Sequence, residues 1–434
     1  MSDGDAQADD TTSGEDTEQS VRDRIWAVAS ASDIRLIAVT LLAIYAIFLF
    51  LGIVGGLDVN GLYSSLELVT FFAAVYALVV LALNLQWGYA GLFNIGIAGF
   101  MAIGLYSMHI LTVQIGLAYP IGALGAVLIT SLFGALVALP ALRLRADYLA
   151  IVTLAFSEIV RSILGSQRFA EFTFAGFDIG FGGATGPDGT LPDPVKFFLY
   201  KDPYSLRPEP NAFGEFYFGL FDLFIIDDST AEGILYALFL SLFVGLFYFL
   251  LVRTGNSPFG RVLKAIREDE TVAKALGKDT RKFKITAFAL GSALMGLAAI
   301  LWYTKRGGVT PTNFEPEVTF FVFVALIIGG AGSNTGSVVG GIVFGALLFR
   351  GPVFIERIID RRLEAQADPT TIFDAFSGID PFIVYTTDNL SALRVVLLGV
   401  VLVILIQRRP EGLLGKRKEI ASSIDLEDRT GGEN

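Results

Sequence analysis

Few side chains in this sequence are equipped for chemistry. The 434-residue chain has no cysteine and a single histidine, His109. Disulfide scaffolds, zinc–thiolate sites and iron–sulfur clusters are excluded, and so is a multi-histidine metal centre. Glu158 and Arg161 stand one helical turn apart inside an apolar stretch, where charge is costly and marks function by default. An i,i+3 pair can also neutralise itself, so two readings stand: an internal ion pair, or two groups lining a cavity. His109 has no acidic neighbour in sequence and reads as interfacial packing. Two glycine clusters remain, each with an asparagine. One holds Gly88, Gly91, Asn94, Gly96, Gly99 and Gly104; the other holds Gly329, Gly330, Gly332, Asn334, Gly336, Gly340, Gly341 and Gly345. Small residues let membrane helices approach closely, and they permit breaks whose free backbone groups line a cavity. In the sharper reading, Gly91, Asn94 and Gly96 on one side and Gly329, Gly330 and Gly332 on the other flank a substrate path. Helix N-termini there offer N–H groups to an anion, and exposed carbonyls can accept from a cation.

The elements that must position these residues are membrane helices. Hydrophobic residues make up 53% of the chain and charged ones 17%, against about 25% charged in soluble domains. Mean hydropathy is +0.62. Between Glu67 and Arg143 lie 75 consecutive residues without Asp, Glu, Lys or Arg. A span needs about 20 apolar residues, so this block alone holds three. The whole chain reads as about ten segments: 36–55, 68–85, 91–112, 118–140, 148–165, 233–252, 285–303, 319–331, 337–350 and 391–407. The expected fold is all-α and polytopic, with some segments broken or re-entrant. A β-barrel is disfavoured because the runs are continuous rather than alternating. The 36–57 run is long and set back, so it reads as a span rather than a signal peptide. With the N-terminus inside, inner connections carry 20 Lys and Arg and outer ones carry 9, which predicts N-in and C-in.

This divides the chain into an acidic, disordered-type tail and lead-in (1–35), a first membrane half (36–165) and a long outer loop (166–232). A helix (233–252), an inner connection (253–284), a second membrane half (285–407, with an outer insert at 351–390) and an inner tail (408–434) follow. The net charge of −11 concentrates in 1–20, 166–232 and 351–390, with seven, eleven and seven acidic residues, while lysine supplies only 10 of 32 basic residues. Such halophilic-like acidic composition suits a protein facing concentrated salt; full stability at low ionic strength contradicts that expectation.

The inner connection is conspicuous. Ser257 followed by Pro258 is a helix start, with serine as cap and proline in the first position. Leu263, Ile266, Ala273 and Leu276 then fall on one helical face, interrupted at Glu270, with Lys264/Glu268 and Glu270/Lys274 as i,i+4 pairs. Gly277 suits the stop, and a bend is expected near Asp269. The pattern fits a helix lying on the membrane surface, and equally a docking helix moved by a partner.

Four stretches carry a family resemblance. Ser257-Pro258-Phe259-Gly260-Arg261, Ala265-Ile266-Arg267-Glu268-Asp269-Glu270 and Ala275-Leu276-Gly277 resemble the coupling segment of branched-chain amino-acid ABC transporter permeases of the LivM type. Asn84-Leu85 with Gly88-Tyr89-Ala90-Gly91 and Gly96, the helix at 148–161, and Arg409-Pro410-Glu411-Gly412-Leu413-Leu414-Gly415 resemble further motifs of that family. The likeness runs from about 68 to 415. The tail, the enlarged 187–232 loop and the 351–390 insert depart from it, as do Leu92 and Ile97 where the family often has Gln and His.

The resemblance implies a multi-pass plasma-membrane importer subunit working by alternating access. Its implied partners are a second, LivH-type permease, two cytoplasmic ATPase subunits and an external binding protein, with no nucleic acid and no cofactor. Pro258, Gly260, Arg261, Ala265, Arg267, Glu268, Asp269, Glu270 and Gly277 become the coupling residues to the ATPase. The chain itself is not expected to be an enzyme: no Gly-x-x-x-x-Gly-Lys-Ser/Thr occurs, and Gly415-Lys416 is followed by Arg417. The implied cargo is a branched-chain or related apolar amino acid. Urea or a short-chain amide is the alternative cargo, and an ATP-independent secondary transporter the alternative mechanism.

Overall fold

Uncharged, Leu/Val/Ala/Gly-rich runs leave a chain in lipid one local solution, the helix, because every peptide group must be paired internally. The computed structural model describes residues 33–141, 146–362 and 390–414, apart from 175, 204, 206, 207, 307 and 410, together with 376, 378, 382, 385 and 386. The acidic tail 1–20, most of the 351–390 insert, Pro410, and Gly415 with the tail beyond it lie outside the described residues.

In chain order the helices are α1 (Asp33–Val54), α2 (Val59–Leu83), α3 (Ile97–His109), α4 (Tyr119–Ala141) and α5 (Ala146–Leu164). After a two-stranded hairpin of β1 (Phe172–Phe174) and β2 (Phe177–Ile179) come α6 (Lys196–Leu199), α7 (Ala212–Asp222) and α8 (Asp228–Asn256). The rest are α9 (Pro258–Glu268), α10 (Glu270–Ala275), α11 (Thr280–Tyr303), α12 (Pro316–Gly329), α13 (Asn334–Ile342), α14 (Gly351–Arg362) and α15 (Leu390–Arg408). Wider π turns extend α2 through Asn84–Tyr89, α3 through Ile110–Gln114 and α13 through Val343–Arg350. Among the described residues, seven helical stretches are long and apolar enough to cross a membrane, and Pro316–Gly329 and Arg394–Leu405 are shorter apolar helices.

Burial sorts the spans into a centre and a rim. Most residues in the apolar stretches of Val59–Tyr89, Ile97–Gln114 and Thr280–Tyr303 are buried, against fewer than a third in those of Asp33–Val54, Tyr119–Pro140 and Asp228–Asn256, with Asn334–Ile359 half buried between them. The rim helices therefore present leucines, valines and phenylalanines outward, as lipid requires. The centre is closed by small residues: a Cβ on Gly104 of α3 would land on the backbone of Gly296 in α11, and one on Gly341 of α13 would meet the Ala77 backbone of α2 at 2.5 Å.

The two ends of the bundle differ. One is basic and carries α9 and α10; the other carries the 166–232 segment. At this loop end His109 is fully buried, with Nε2 3.2 Å from the Gly189 carbonyl. Gln114 pairs twice with the Gly180 peptide, at 2.8 and 3.0 Å. Lys305, at the end of α11, reaches Glu232 at 3.1 Å and Asp193 at 3.6 Å. The long segment is thus fastened to spans at several points rather than trailing from them.

The close α3–α11 crossing yields a test. Gly104→Val forces backbone apart in the buried centre, where overpacking costs about 1–3 kcal/mol or more. The expected result is a lower thermal midpoint in detergent, with Gly116→Val, where nothing lies within 4 Å of a Cβ but φ is +81°, causing a smaller drop.

Candidate functional site

The centre of interest is where helices break inside the bundle. After the π turn Asn84–Tyr89 the chain runs without helix through 91–96 and resumes as α3. Tyr89 lies at the basic end, its hydroxyl donating to Leu251 O at 3.3 Å; α3 runs from there toward the loop end. Unwound backbone at such depth survives only if each polar group is paired, and the pairing here is done by side chains. The Ile95 N–H donates to Thr153 Oγ1 (2.9 Å), Gly96 N–H to Asn94 Oδ1 (2.8 Å) and Ala98 N–H to Thr319 Oγ1 (3.1 Å). Asn94 Nδ2 donates to Gln86 Oε1 (2.8 Å), and Gln86 Nε2 to Phe288 O (2.9 Å). Gln86, Asn94, Thr153 and Thr319 are all fully buried. One network thus ties the break to α5, α11 and α12 together.

The second break separates α12 from α13. Gly330 and Gly332 sit at φ +102° and +91°, a region side chains rarely enter, which is what glycine contributes there. Ser333 caps α13 by accepting from Gly336 N–H at 2.9 Å. The two breaks meet at the basic end through Asn84. Its Oδ1 accepts from Gly332 N–H (2.8 Å) and its Nδ2 donates to Asn334 Oδ1 (3.0 Å). The segment after α15 joins the same place: Leu413 and Leu414 N–H donate to Ile328 and Gly329 carbonyls, at 2.8 and 3.0 Å.

The basic connection docks onto this junction. Ser257 caps α9 and Pro258 opens it, as the spacing predicts. Leu263 and Ile266 are buried, and Phe259 stacks on Phe283 of α11 at 5.4 Å. From this helix Arg267 Nη1 donates to the Gly88 carbonyl. Its aliphatic stem lies where a Cβ on Gly91 would be, at 2.9 Å, and its Nη1 where one on Gly332 would approach, at 3.0 Å. One arginine therefore lies against both breaks, its stem on Gly91 and its guanidinium on Gly88 and beside Gly332.

The expected bend at Asp269 is a full break. Asp269 ends α9 and caps α10, accepting from Thr271 N–H (2.8 Å) and Val272 N–H (3.1 Å). This resets the helical phase, so Ala273 is buried while Leu276, expected on the buried face, is 73% exposed. Glu270 receives Lys274 (3.1 Å), Thr280 Oγ1 (2.9 Å) and Lys284, which staples α10 to α11. Burial pushes the Glu270 carboxyl up, but the hydrogen bonds from Lys284, Lys274 and Thr280 outweigh it and hold it down at about 2. Between α9 and α10 lies a shallow groove of about 290 Å³, floored by Pro258, Val262, Ala265 and Ala273 and edged by Arg261 and Lys278.

A family model described as the branched-chain amino acid transport system / permease component matches residues 65–406. The chain belongs to this family. With its long apolar helices it is a multi-pass membrane protein. The permease chain is 36% identical over 262 residues to the high-affinity branched-chain amino acid transport system permease protein LivM of Escherichia coli (strain K12), covering 60% of this chain and 57% of that protein. It is 34% identical over 273 residues to LivM of Salmonella typhimurium, covering 62% and 60% of the two chains. It is 26% identical over 310 residues to a probable LivM of Methanocaldococcus jannaschii, covering 63% and 78%. The match thus spans under two thirds of the first two relatives' length. No solved structure matches the permease chain.

The residues singled out from sequence fall in three places in this permease. Gly91, Asn94, Gly96, Gly329, Gly330 and Gly332 lie in or beside the two breaks, with Arg267 against them. Gly260 packs on Gly255, which in turn lies on the Tyr89 ring. Gly277, at φ +76°, closes α10. Glu158 and Arg161 pair with each other at 2.7 Å, about a third exposed, toward the loop end of α5 and away from the junction. Arg261 bonds the Asn256 carbonyl and Glu268 reaches Arg267 Nη2 at 3.2 Å. Asn334 holds in its glycine cluster the place Asn94 holds in the other, and its partner in space is Asn84. Gln86 and Thr319 carry no sequence signal beyond being polar inside uncharged runs, and Thr153 stands only as one position of the 148–161 motif.

Glu270 generates a prediction with a definite sign. Its carboxyl lies below the unfolded value, so its contribution is complete above about pH 4.5 and fades only as pH falls toward 2. Glu270→Gln should therefore speed hydrogen exchange of the α10 amides several-fold at pH 7, and the gap from the unaltered protein should persist at pH 5.

Proposed function

We propose that this chain is the membrane-spanning permease subunit of an ATP-driven, binding-protein-dependent importer of branched-chain or related apolar amino acids. It works by alternating access and hydrolyses no ATP itself. The observation that carries the reading is Arg267: the basic connection that a partner could grip is wired into both helix breaks, in a chain whose family match runs from 65 to 406.

In this reading the basic end is cytoplasmic, with ten crossings, N-in and C-in, in the plasma membrane. Ten crossings require Ala146–Leu164 and the two shorter apolar helices to be counted with the seven long ones. Two cytoplasmic ATPase subunits drive the complex, one gripping the groove between α9 and α10 and pressing on Pro258, Gly260, Arg261, Ala265, Arg267, Glu268, Asp269, Glu270 and Gly277. A LivH-type chain is the second permease, and an external binding protein delivers cargo at the loop end. A stretch of 90 residues that is 31% identical to LivH of Salmonella typhimurium supports a common ancestry of the two kinds of subunit.

The substrate path runs beside the breaks. In the present conformation the N–H groups suited to a substrate carboxylate are occupied: Gly96 by Asn94, Ala98 by Thr319, and Gly99 by the Gly96 carbonyl. Movement of α12 away from α3 frees Ala98 N–H for cargo, so the path opens when the network rearranges. Glu158 and Arg161 act as a structural pair that lets α5 carry charge at low cost.

The test is reconstitution of the chain with its co-isolated permease and ATPase subunits in liposomes, supplied with the binding protein. Saturable uptake of labelled leucine that requires ATP is expected. Uptake of urea or acetamide in place of leucine would replace the cargo, and equal flux by this chain alone without ATP would replace the mechanism.

A further inference from the structure

The enlarged segment at the loop end contains a helix with no soluble explanation. Around α7, Gly214 and Phe218 are buried, with Tyr217 and Phe221 half-buried beside them. Another stripe points away from the protein: Phe213 (51% exposed), Phe216 (69%), Leu220 (44%), Leu223 (77%), Phe224 (56%) and Ile225 (76%). At about 100° per residue, Glu215 and Asp222 lie roughly 140° round the helix from the centre of that stripe. The helix therefore has three faces: one on the protein, one acidic, and one wholly apolar and uncovered.

The stripe is held rigidly. Asn211 caps α7 through Gly214 N–H at 2.9 Å and donates to the Phe198 carbonyl at 3.0 Å. Tyr217 OH donates to Ala231 O in the first turn of α8 at 2.9 Å, and Asn60, at the start of α2, donates to Asp227 at 2.8 Å. The turn that follows puts Ile225 at φ +59°, the sole non-glycine at positive φ among the described residues. A β-branched residue there is strained, and glycine or asparagine would relieve it. A turn facing water gains nothing from holding an isoleucine outward at that cost.

Position decides what covers the stripe. Tyr217 fixes α7 at the level of Ala231. From Ala231 to Gly255, where α8 meets Tyr89, the helix rises about 36 Å, slightly more than the roughly 30 Å hydrocarbon core. So α7 sits at the membrane boundary rather than above it. Ala231, which holds Tyr217, lies by helical phase on the same side of α8 as the exposed Leu238, Leu242 and Phe249, the side a rim helix turns to lipid.

We propose that α7 with the 223–225 turn is an interfacial anchor, its Phe/Leu/Ile stripe embedded in the acyl–headgroup boundary of the leaflet at the loop end, with Glu215 and Asp222 toward water. The anchor holds the loop segment flat against the bilayer and fixes the height of the surface offered to any external partner. It does not depend on the nature of the cargo.

Because the chain has no cysteine, each variant adds a single thiol to it, and the unaltered complex treated with the same fluorophore supplies the background from the other subunits. Phe216→Cys, Leu223→Cys and Glu215→Cys would each carry an environment-sensitive fluorophore, with the full chain and its co-isolated subunits in lipid nanodiscs. Quenching by phospholipids bearing a nitroxide high on the acyl chain is compared with quenching by aqueous iodide. The labels at 216 and 223 should be quenched several-fold more by the nitroxide lipid than the label at 215, with the reverse order for iodide. Iodide quenching at 216 and 223 equal to that at 215 overturns the anchor in favour of a water-facing surface. Shielding of 216 and 223 from both quenchers overturns it in favour of a protein cover.

Discussion

An unpaired peptide group within a bilayer costs several kcal/mol, and this chain leaves the helix twice near the basic end of the bundle, once through 91–96 and once through 330–333. The rest of the architecture follows from how those breaks are supported. Asn84, Asn94, Thr153, Thr319 and Ser333 pair with the loosened peptide N–H groups, and Gln86 holds Asn94 in place. Asn94 and Ser333 act locally, whereas Thr153 and Thr319 bring α5 and α12 to the first break and Asn84 ties the end of α2 to the second. The glycines serve the same end. They let α3 meet α11, and α13 meet α2, at backbone distance.

Support of this kind is well suited to switching. A helix interior has one good hydrogen-bonding arrangement, whereas unwound segments held by side-chain amides and hydroxyls can exchange partners at small net cost. In the proposed cycle the exchange is driven from the basic end. There α9 is packed by Leu263, Ile266 and Phe259, and α10 is stapled to α11 through Glu270 and Lys284. That makes the segment a rigid lever, and its guanidinium tip rests on Gly88 where Asn84 and Gly332 meet. Push on the lever and the contact most directly loaded is the one joining the two halves.

The spans were legible because hydrophobic length is a local property: uncharged runs at 36–57, 68–142 and 285–304 announce themselves. The capped start at Ser257 and Pro258 and the i,i+3 pair of Glu158 with Arg161 were legible for the same reason. Leu276 misled, since a single helical phase was carried across Asp269, whose side chain caps a new helix and restarts the count. The Asn84–Asn334 bond was invisible, because two neutral amides 250 positions apart leave no periodicity or charge pattern. Gln86, Thr153 and Thr319 were hidden likewise. What sequence located was where helices could break; what it could not show was which side chains hold the broken ends.

The central claim is that Arg267 transmits the partner's movement to the junction of the breaks. It is tested most directly by measuring ATP hydrolysis and cargo uptake together in the reconstituted complex carrying Arg267→Ala and in the unaltered complex. Arg267→Ala should assemble normally and hydrolyse ATP, yet move at least tenfold less cargo per ATP than the unaltered complex. An unchanged ratio of cargo to ATP in Arg267→Ala would contradict it.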